Sequence, residues 1–503
     1  MNMALMGLDI GSTGCKAVVF DAAGQQLARA YREYPEIYPQ PGWIELDPAQ
    51  VWQGIREVIA EAAAAAREPV RALCLSAMGE AFTAVSREGK FLTNTIVSPD
   101  SRAVAQALML EEALGAERIF SLTGMPAHAS FTLPKVMWLA QERPGVHEQT
   151  YKYLLWPDLV HFLLGLEPRL DHSLAGRTLG FDVVSRQWSP EMLAAAGLSA
   201  ELFAAPIAPG ELVGELTGAV AAELGLAEGC RVVAGGHDQP MNALGAGVIA
   251  PGLAVDGMGT VECITVAFAE PLLTEAMRTH NHCCYSHTAP GLYCTLAYNY
   301  SCGSLLRWYR DNFGGLQRQQ AEATGRDVYD VLLSDLPEGP TGLLALPYFA
   351  GSGTPYLDPL ARGAILGLTL GVTDKAFVKG LLEGVCYELR LNIESLAQAG
   401  VKLQRLRATG GGSKSPTWLQ LKADITGKEV VTLNVSEGGC LAGAMLGGVA
   451  VGEYASVAEA VGALVAERDL YLPDPARHEQ YSRLYEVYAR AWPALRELTY
   501  ALA

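Results

Sequence analysis

The stretch Asp9-Ile10-Gly11-Ser12-Thr13-Gly14-Cys15-Lys16 gathers one carboxylate, two glycines, two hydroxyls and one ammonium. Short apolar runs, Leu5-Met6-Gly7-Leu8 and Ala17-Val18-Val19-Phe20, flank it, so a β-hairpin with a polar tip is expected. Such a tip suits a polyphosphate and its metal. Glycine lets backbone approach closely, hydroxyls and main-chain N–H groups donate, Lys16 neutralises charge, and Asp9 can hold magnesium. Residues 253–266 repeat the pattern of apolar run, Asp256, glycines, Thr260 and apolar run. Two such loops, each opening one half of the chain, suggest a duplicated domain that grips a polyphosphate from both sides.

Three further stretches carry chemistry. A strand at Arg231–Ala234 runs into Gly235-Gly236-His237-Asp238-Gln239-Pro240, which puts Asp238 at the carboxyl edge of a sheet, where ligands bind. An aspartate two residues before proline is also an ordinary helix cap, so cap and general base both stay open from spacing alone. A strand at Leu406–Thr409 leads into Gly410-Gly411-Gly412-Ser413-Lys414-Ser415-Pro416. Strand, triple glycine and helix start form a pocket for an adenine nucleotide. The spacing is neither GxGxxG nor GxxxxGK[ST], which leaves a dinucleotide site and a P-loop unsupported. Met78-Gly79-Glu80 ends a buried strand over Val70–Ser76, and Asp100 and Arg102 follow another at Thr95–Val97. For Glu80 the alternatives are a solvated loop carboxylate and a ligand contact. For Asp100 and Arg102 they are a fold-stabilising pair and substrate contacts. His282, Cys283, Cys284, His287 and Cys294 invite zinc, but they alternate through an aromatic-rich run without a CxxC pair, so core positions are the expectation.

The elements that position these groups follow from length and pattern. A chain of 503 residues exceeds one core, so two domains of roughly 200–250 residues are expected. Half the residues are hydrophobic and 18% charged, ample for large cores. A formal net charge of −17 disfavours nucleic acid but not a nucleotide held by a local glycine and metal site. No apolar run approaches the roughly 18–20 residues of a membrane span. Met1-Asn2-Met3-Ala4 lacks the basic segment of a signal peptide, and the ten cysteines have no regular spacing, so a cytosolic protein is expected. Asp47-Pro48 reads as a helix cap and first turn. Gly245, Gly247, Pro251 and Gly252 mark a domain junction, and helices are expected over Phe377–Leu391, after Ser415 and at the C-terminus from 470 onward. Gly438, Gly439, Gly443, Gly447 and Gly448 would let one further helix pack closely.

Taken in order, these motifs resemble the FGGY carbohydrate kinases over essentially the whole chain. Asp9–Lys16 is similar to that family's N-terminal phosphate motif and Pro41-Gly42-Trp43-Ile44-Glu45 to its characteristic loop. Ser130-Phe131-Thr132-Leu133-Pro134-Lys135-Val136-Met137-Trp138-Leu139-Ala140-Gln141-Glu142 matches the first family signature at every constrained position. Gly363-Ala364-Ile365-Leu366-Gly367-Leu368 begins the second, with departures at Ala376 and Gly380. Gly410–Gly412 with Ser415, Trp418, Gln420 and Ala423-Asp424 resembles the adenosine-binding segment.

The resemblance implies an α/β fold of two ribonuclease-H-like domains, of the actin and heat-shock chaperone superfamily, at 1–247 and 248–503, with substrates in the cleft between them. It implies ATP and Mg2+, with Asp9 at the metal. Gly11, Ser12, Thr13 and Lys16 would meet phosphate from one side and Gly259 and Thr260 from the other, while Gly410, Gly411, Gly412 and Ser415 hold the nucleotide. Asp238 becomes the general base. Met78, Gly79, Glu80, Asp100 and Arg102 fall where the family contacts its sugar, and His237 is expected to bind a sugar hydroxyl alongside Glu80. Gly79-Glu80 and Ser98 stand where glycerol and xylulose kinases carry other residues, which speaks against glycerol. A ketopentose is the first expectation, followed by a 6-deoxy-ketohexose, then another polyol or sugar acid. The competing classes are a polyphosphate hydrolase and a nucleotide-regulated interaction protein. A sugar and ATP are the expected partners, with a homodimer left open.

Overall fold

The two expected hairpins seed two sheets built on one plan. The computed structural model describes residues 4–502; the reading of Met1–Met3 as free of a leader lies outside them. In the first half, strands β1 (Ala4–Ile10), β2 (Gly14–Phe20) and β3 (Gln26–Glu33) pair antiparallel. Strand β4 (Val70–Ala77) lies parallel to β1, and β5 (Leu212–Glu215) forms the far edge beside β6 (Arg231–His237), which runs parallel to β4. The order is β5-β6-β4-β1-β2-β3. In the second half, β7 (Leu253–Met258), β8 (Glu262–Phe268), β9 (Tyr285–Ser286), β10 (Tyr293–Asn299), β11 (Arg405–Thr409), β12 (Glu429–Leu433) and β13 (Glu467–Tyr471) stand in the order β9-β10-β8-β7-β11-β12-β13. There too a hairpin and a third antiparallel strand are followed by two parallel ones. The chain is a two-domain α/β protein of the ribonuclease-H-like, actin and heat-shock chaperone type.

Local chemistry sets the helices. Asp47 caps α1 (Pro48–Ala66) by accepting from the Ala49 N–H at 2.9 Å. Helix α2 (Asp238–Gly245) leaves the end of β6 and α3 (Gly303–Asn312) follows β10. The interior helix α4 (Asp374–Gln398) buries Val378, Leu381, Leu382, Val385 and Leu389 as expected. Helix α5 (Pro416–Thr426) starts at the triple glycine, with the Ser415 hydroxyl capping the Trp418 N–H at 3.3 Å.

Packing does not respect the chain junction near residue 247. The glycine-rich helix α6 (Gly438–Val451) comes from the second half but lies across β1 and β4 and against α2. A Cβ on Gly7 would stand 2.0 Å from the Cys440 carbonyl oxygen, and one on Gly245 would stand 1.9 Å from that of Gly438. Close approach therefore needs glycine in the first half as well as on the helix. Tyr285 on β9 likewise packs into the first core although its strand pairs in the second sheet. The strands of the first sheet lie between Ala4 and His237 and those of the second between Leu253 and Tyr471, while α6 and β9 bind the two parts together. C-terminal helix α7 (Pro475–Tyr500) closes the second lobe through Tyr481, Tyr485, Tyr488 and Trp492.

Candidate active site

The first hairpin presents its polar tip to the cleft. The Gly11 N–H donates to the Gly14 carbonyl at 2.9 Å, which folds the turn and leaves Ser12 and Thr13 exposed. Asp9, at the end of β1, accepts from the Ser76 hydroxyl at 2.8 Å. Lys16 departs from the expectation of a free phosphate cation. Its ammonium lies 2.7 Å from Glu437 and 3.7 Å from Asp9, so two carboxylates already balance its charge. Lys16 therefore fixes Asp9 and ties the hairpin to the start of α6. Magnesium takes one or two protein carboxylates and completes its shell with water and phosphate oxygens. Asp9 fits that pattern, since its second oxygen has only the distant Lys16 beside it. Among the described residues no cluster of three His, Cys, Asp or Glu side chains offers an all-protein metal site.

The second hairpin repeats the backbone of the first but not its chemistry. Asp256, equivalent to Asp9 by position, is fully buried and pairs with Lys422 of α5, which also pairs with Glu262. This corrects the expectation of two equal grips, because Asp256 braces the hairpin and only Gly259 and Thr260 reach open space. Burial and the neighbouring Asp256 push the Glu262 carboxyl up to about 7 against the pull of Lys422. The tip is pinned by Gly303 N–H donating to the Gly259 carbonyl at 2.9 Å, and Arg307 of α3 donates to the Thr260 hydroxyl at 3.2 Å. Behind it lies a cavity of about 710 Å³ lined by Gly259, Thr260, Gly411, Gly412, Ser415 and Trp418. Gly410, just before the lining residues and not itself among them, has φ +82°, and a Cβ there would meet the Met258 carbonyl oxygen at 2.8 Å. The volume suits an adenine nucleotide. Arg307 was not foreseen, because nothing in its local sequence separates it from a surface arginine.

Where β6 ends, the chain carries Asp238 into the cleft. His237 takes the cap position and Asp238 is the first helical residue of α2, which removes the ordinary capping reading. Its Oδ1 has no hydrogen-bond partner, and 36% of its side chain remains accessible. Enclosure by the surrounding protein, then the Asp9 and Glu80 carboxylates, push its pKa up to about 7. A carboxylate of that affinity can take a proton at neutral pH. His237 lies against it, Nε2 to Oδ1 3.2 Å, and its Nδ1 is 3.0 Å from the Tyr285 hydroxyl. Gly79 makes room for this ring, since a Cβ would stand 2.8 Å from Nε2.

Glu80 is buried and held at φ +61°, a left-handed conformation that costs a non-glycine residue about 1 kcal/mol or more. Arg177 secures it, donating from Nε to Oε1 at 2.6 Å, while the Thr132 hydroxyl holds its carbonyl at 3.0 Å. The Arg177 guanidinium also lies 5.2 Å from the centre of the Phe131 ring and 5.6 Å from that of Tyr285. Met78, Gly79, Glu80, His237 and Asp238 thus come together, with Arg177 and Tyr285 as the members that sequence reasoning missed. Asp100 and Arg102 do not join them as free side chains. Both are buried, Arg102 forks onto Asp100 and Glu45 and stacks 4.0 Å from the centre of the Trp43 ring, and Asp100 also accepts from the Ile44 N–H. The fold-stabilising alternative describes that pair, which anchors the Pro41–Glu45 loop.

Comparison with known proteins follows the same outline. Models described as the FGGY family of carbohydrate kinases, N-terminal domain and C-terminal domain, match residues 4–245 and 257–451. A xylulose kinase of Bacillus subtilis is 26% identical over 501 residues, covering 99% of this chain and 98% of that protein. A gluconokinase of the same organism is 27% identical, covering 97% and 95%. The crystal structure of xylulose kinase from Rhodospirillum rubrum superposes with a TM-score of 0.89 at 28% identity, covering 99% of each chain.

Proposed function

Because this chain belongs to the FGGY family of carbohydrate kinases, and is a sugar kinase, we propose that it transfers the terminal phosphoryl group of ATP to a hydroxyl of a ketopentose. The observation that carries the mechanism is the Asp238 carboxylate beside Glu80 and His237, its side chain 36% accessible and its enclosed Oδ1 left without a hydrogen-bond partner. The acceptor hydroxyl donates to this carboxylate. As its oxygen bonds to the terminal phosphorus and the bond to the bridging oxygen of ADP breaks, Asp238 takes the hydroxyl proton. Phosphoryl transfer needs positioning and charge balance more than covalent help. Gly11, Ser12 and Thr13 meet the phosphates from the first lobe and Gly259 and Thr260 from the second, while Gly410–Gly412 and Ser415 enclose the adenosine. Magnesium held through Asp9 would supply charge neutralisation on the phosphate oxygens. The acceptor lies over Gly79 and Glu80, where the Arg177 pair fixes the carboxylate. Closure of the lobes excludes water, which would otherwise compete for the phosphoryl group.

A ketopentose as acceptor is supported by the xylulose kinases among the relatives and by the absence of an arginine at Gly79. The gluconokinase relative makes a sugar acid the second acceptor to examine, ahead of a 6-deoxy-ketohexose. Membership of the family leaves the hydrolase and interaction-protein readings without support. No described helix is long and apolar enough to cross a membrane, and we place the reaction in the cytosol. The test is ADP formation with xylulose, ribulose, fuculose, gluconate and glycerol, with the product identified by phosphorus NMR. A kcat/KM for xylulose at least tenfold above the rest is expected; a sugar acid in first place would overturn the ketopentose assignment.

A further inference from the structure

The residue beside the proposed base is not free to bind sugar, because protein groups face both of its ring nitrogens. Nδ1 of His237 lies 3.0 Å from the Tyr285 hydroxyl and Nε2 lies 3.2 Å from Asp238 Oδ1. His237 is 5% exposed and Tyr285 fully buried. The ring carries one proton, since burial and the neighbouring Arg177 push its pKa well below the usual histidine range. Among the described residues, Asp238 Oδ1 has no hydrogen-bond partner, and the nearest ring nitrogen is Nε2. The tautomer that can serve both neighbours has its proton on Nε2, 3.2 Å from the Asp238 oxygen left without a hydrogen bond, and accepts at Nδ1 from the Tyr285 O–H. The main-chain N–H of His237 donates to Ser173 Oγ at 2.9 Å, which fixes the backbone from which the ring projects. Gly79 removes the Cβ that would push the ring away.

We propose that Tyr285, carried on a strand of the second sheet, is a positioning residue that sets the His237 tautomer, so that Nε2–H orients Asp238 and favours its carboxylate form. This deepens the base assignment above and rests on it. Strand β9 belongs to the second sheet, yet Gly176 packs against the Tyr285 Cβ and the Cys284 N–H donates to the Gly124 carbonyl at 2.7 Å. The second half of the chain thereby reaches the base without touching substrate. The charged and titratable groups around the trio are Arg177 and Glu80 from the first lobe, Asp9 from the hairpin, and Cys294, Cys283 and Cys263 from the second lobe. Arg177 favours the Asp238 carboxylate and the two carboxylates oppose it, so one lost donor shifts a balanced site.

The test is the pH profile of ketopentose phosphorylation by Tyr285→Phe, His237→Gln and the double variant, with thermal unfolding measured alongside. In Tyr285→Phe the tautomer is no longer imposed. The acid limb of kcat/KM should move up by at least half a pH unit, with kcat down at least twofold at pH 7 and within 1.5-fold of wild type at pH 9. The KM values for sugar and ATP should stay within twofold. In the His237→Gln background, which has no imidazole tautomer to set, Tyr285→Phe should add less than a twofold change. Loss that is equal at every pH, or a tenfold rise in sugar KM, would overturn the proposal. So would an undiminished Tyr285 effect when His237 is Gln. If Tyr285→Phe fails to fold, His237→Gln alone decides by whether its limb moves. Absence of any sugar turnover by the wild type is a separate result and would remove the function assignment first.

Discussion

Asp238 has opposite consequences for activity and stability, and both follow from its enclosure beside the Asp9 and Glu80 carboxylates. Its carboxyl keeps a proton to about pH 7 when folded, whereas an unfolded aspartate releases it near pH 4. The folded state therefore binds more protons between those values, and the contribution of this group to stability falls as pH rises through that window. Asp238→Asn should lower kcat by about 10²–10⁴-fold, the range for loss of a general base. Its melting temperature at pH 8 should equal or exceed that of wild type, as calorimetry would read. The wild-type kcat/KM should rise through about pH 7 with the slope of one proton. The sequence exposed Asp238 through its strand, glycines and proline, but it could not choose base over cap, because that depends on which residue first adopts helical geometry. Arg177 was invisible for another reason. Its partner Glu80 is 97 residues away in the chain, and only the fold makes that pair.

The hairpins and α6 show how elements of similar pattern take on different work. Both hairpins were legible as apolar runs around a glycine turn, yet only the first keeps its aspartate at the cleft. The second turns Asp256 inward onto Lys422, a long-range pairing that no local pattern signals. Lys422→Met would leave Asp256 and Glu262 buried without their cation, at a cost of about 3–5 kcal/mol. That deficit should grow from pH 5 to pH 8, as Glu262 loses the option of protonation, and denaturant unfolding at the two pH values would measure it. ATP should also bind more weakly, because α5 carries Trp418 at the nucleotide cavity. For α6 the glycines announced close packing but not its target. Gly7→Ala places a methyl where the Cys440 carbonyl oxygen sits, so a loss of about 3 kcal/mol or more is expected.

At the scale of the whole molecule, two sheets of one plan face a cleft while α6 and β9 cross from the second half to the first. Length, the repeated hairpin and the glycine junction disclosed the duplication; the crossings, being contacts between distant segments, required the structure. Closure over both substrates should keep water from the phosphoryl group. ADP formation without a sugar is therefore expected at below about one hundredth of the rate with the preferred acceptor. The most direct measurement is sugar phosphate formation by wild type and Asp238→Asn under saturating ATP and ketopentose, followed by phosphorus NMR with nucleotide binding measured in parallel. The wild type should form the phosphate ester, and the variant should bind ATP equally well while forming it at least a hundredfold more slowly. Equal rates from the two proteins would contradict the assignment of Asp238 as the base.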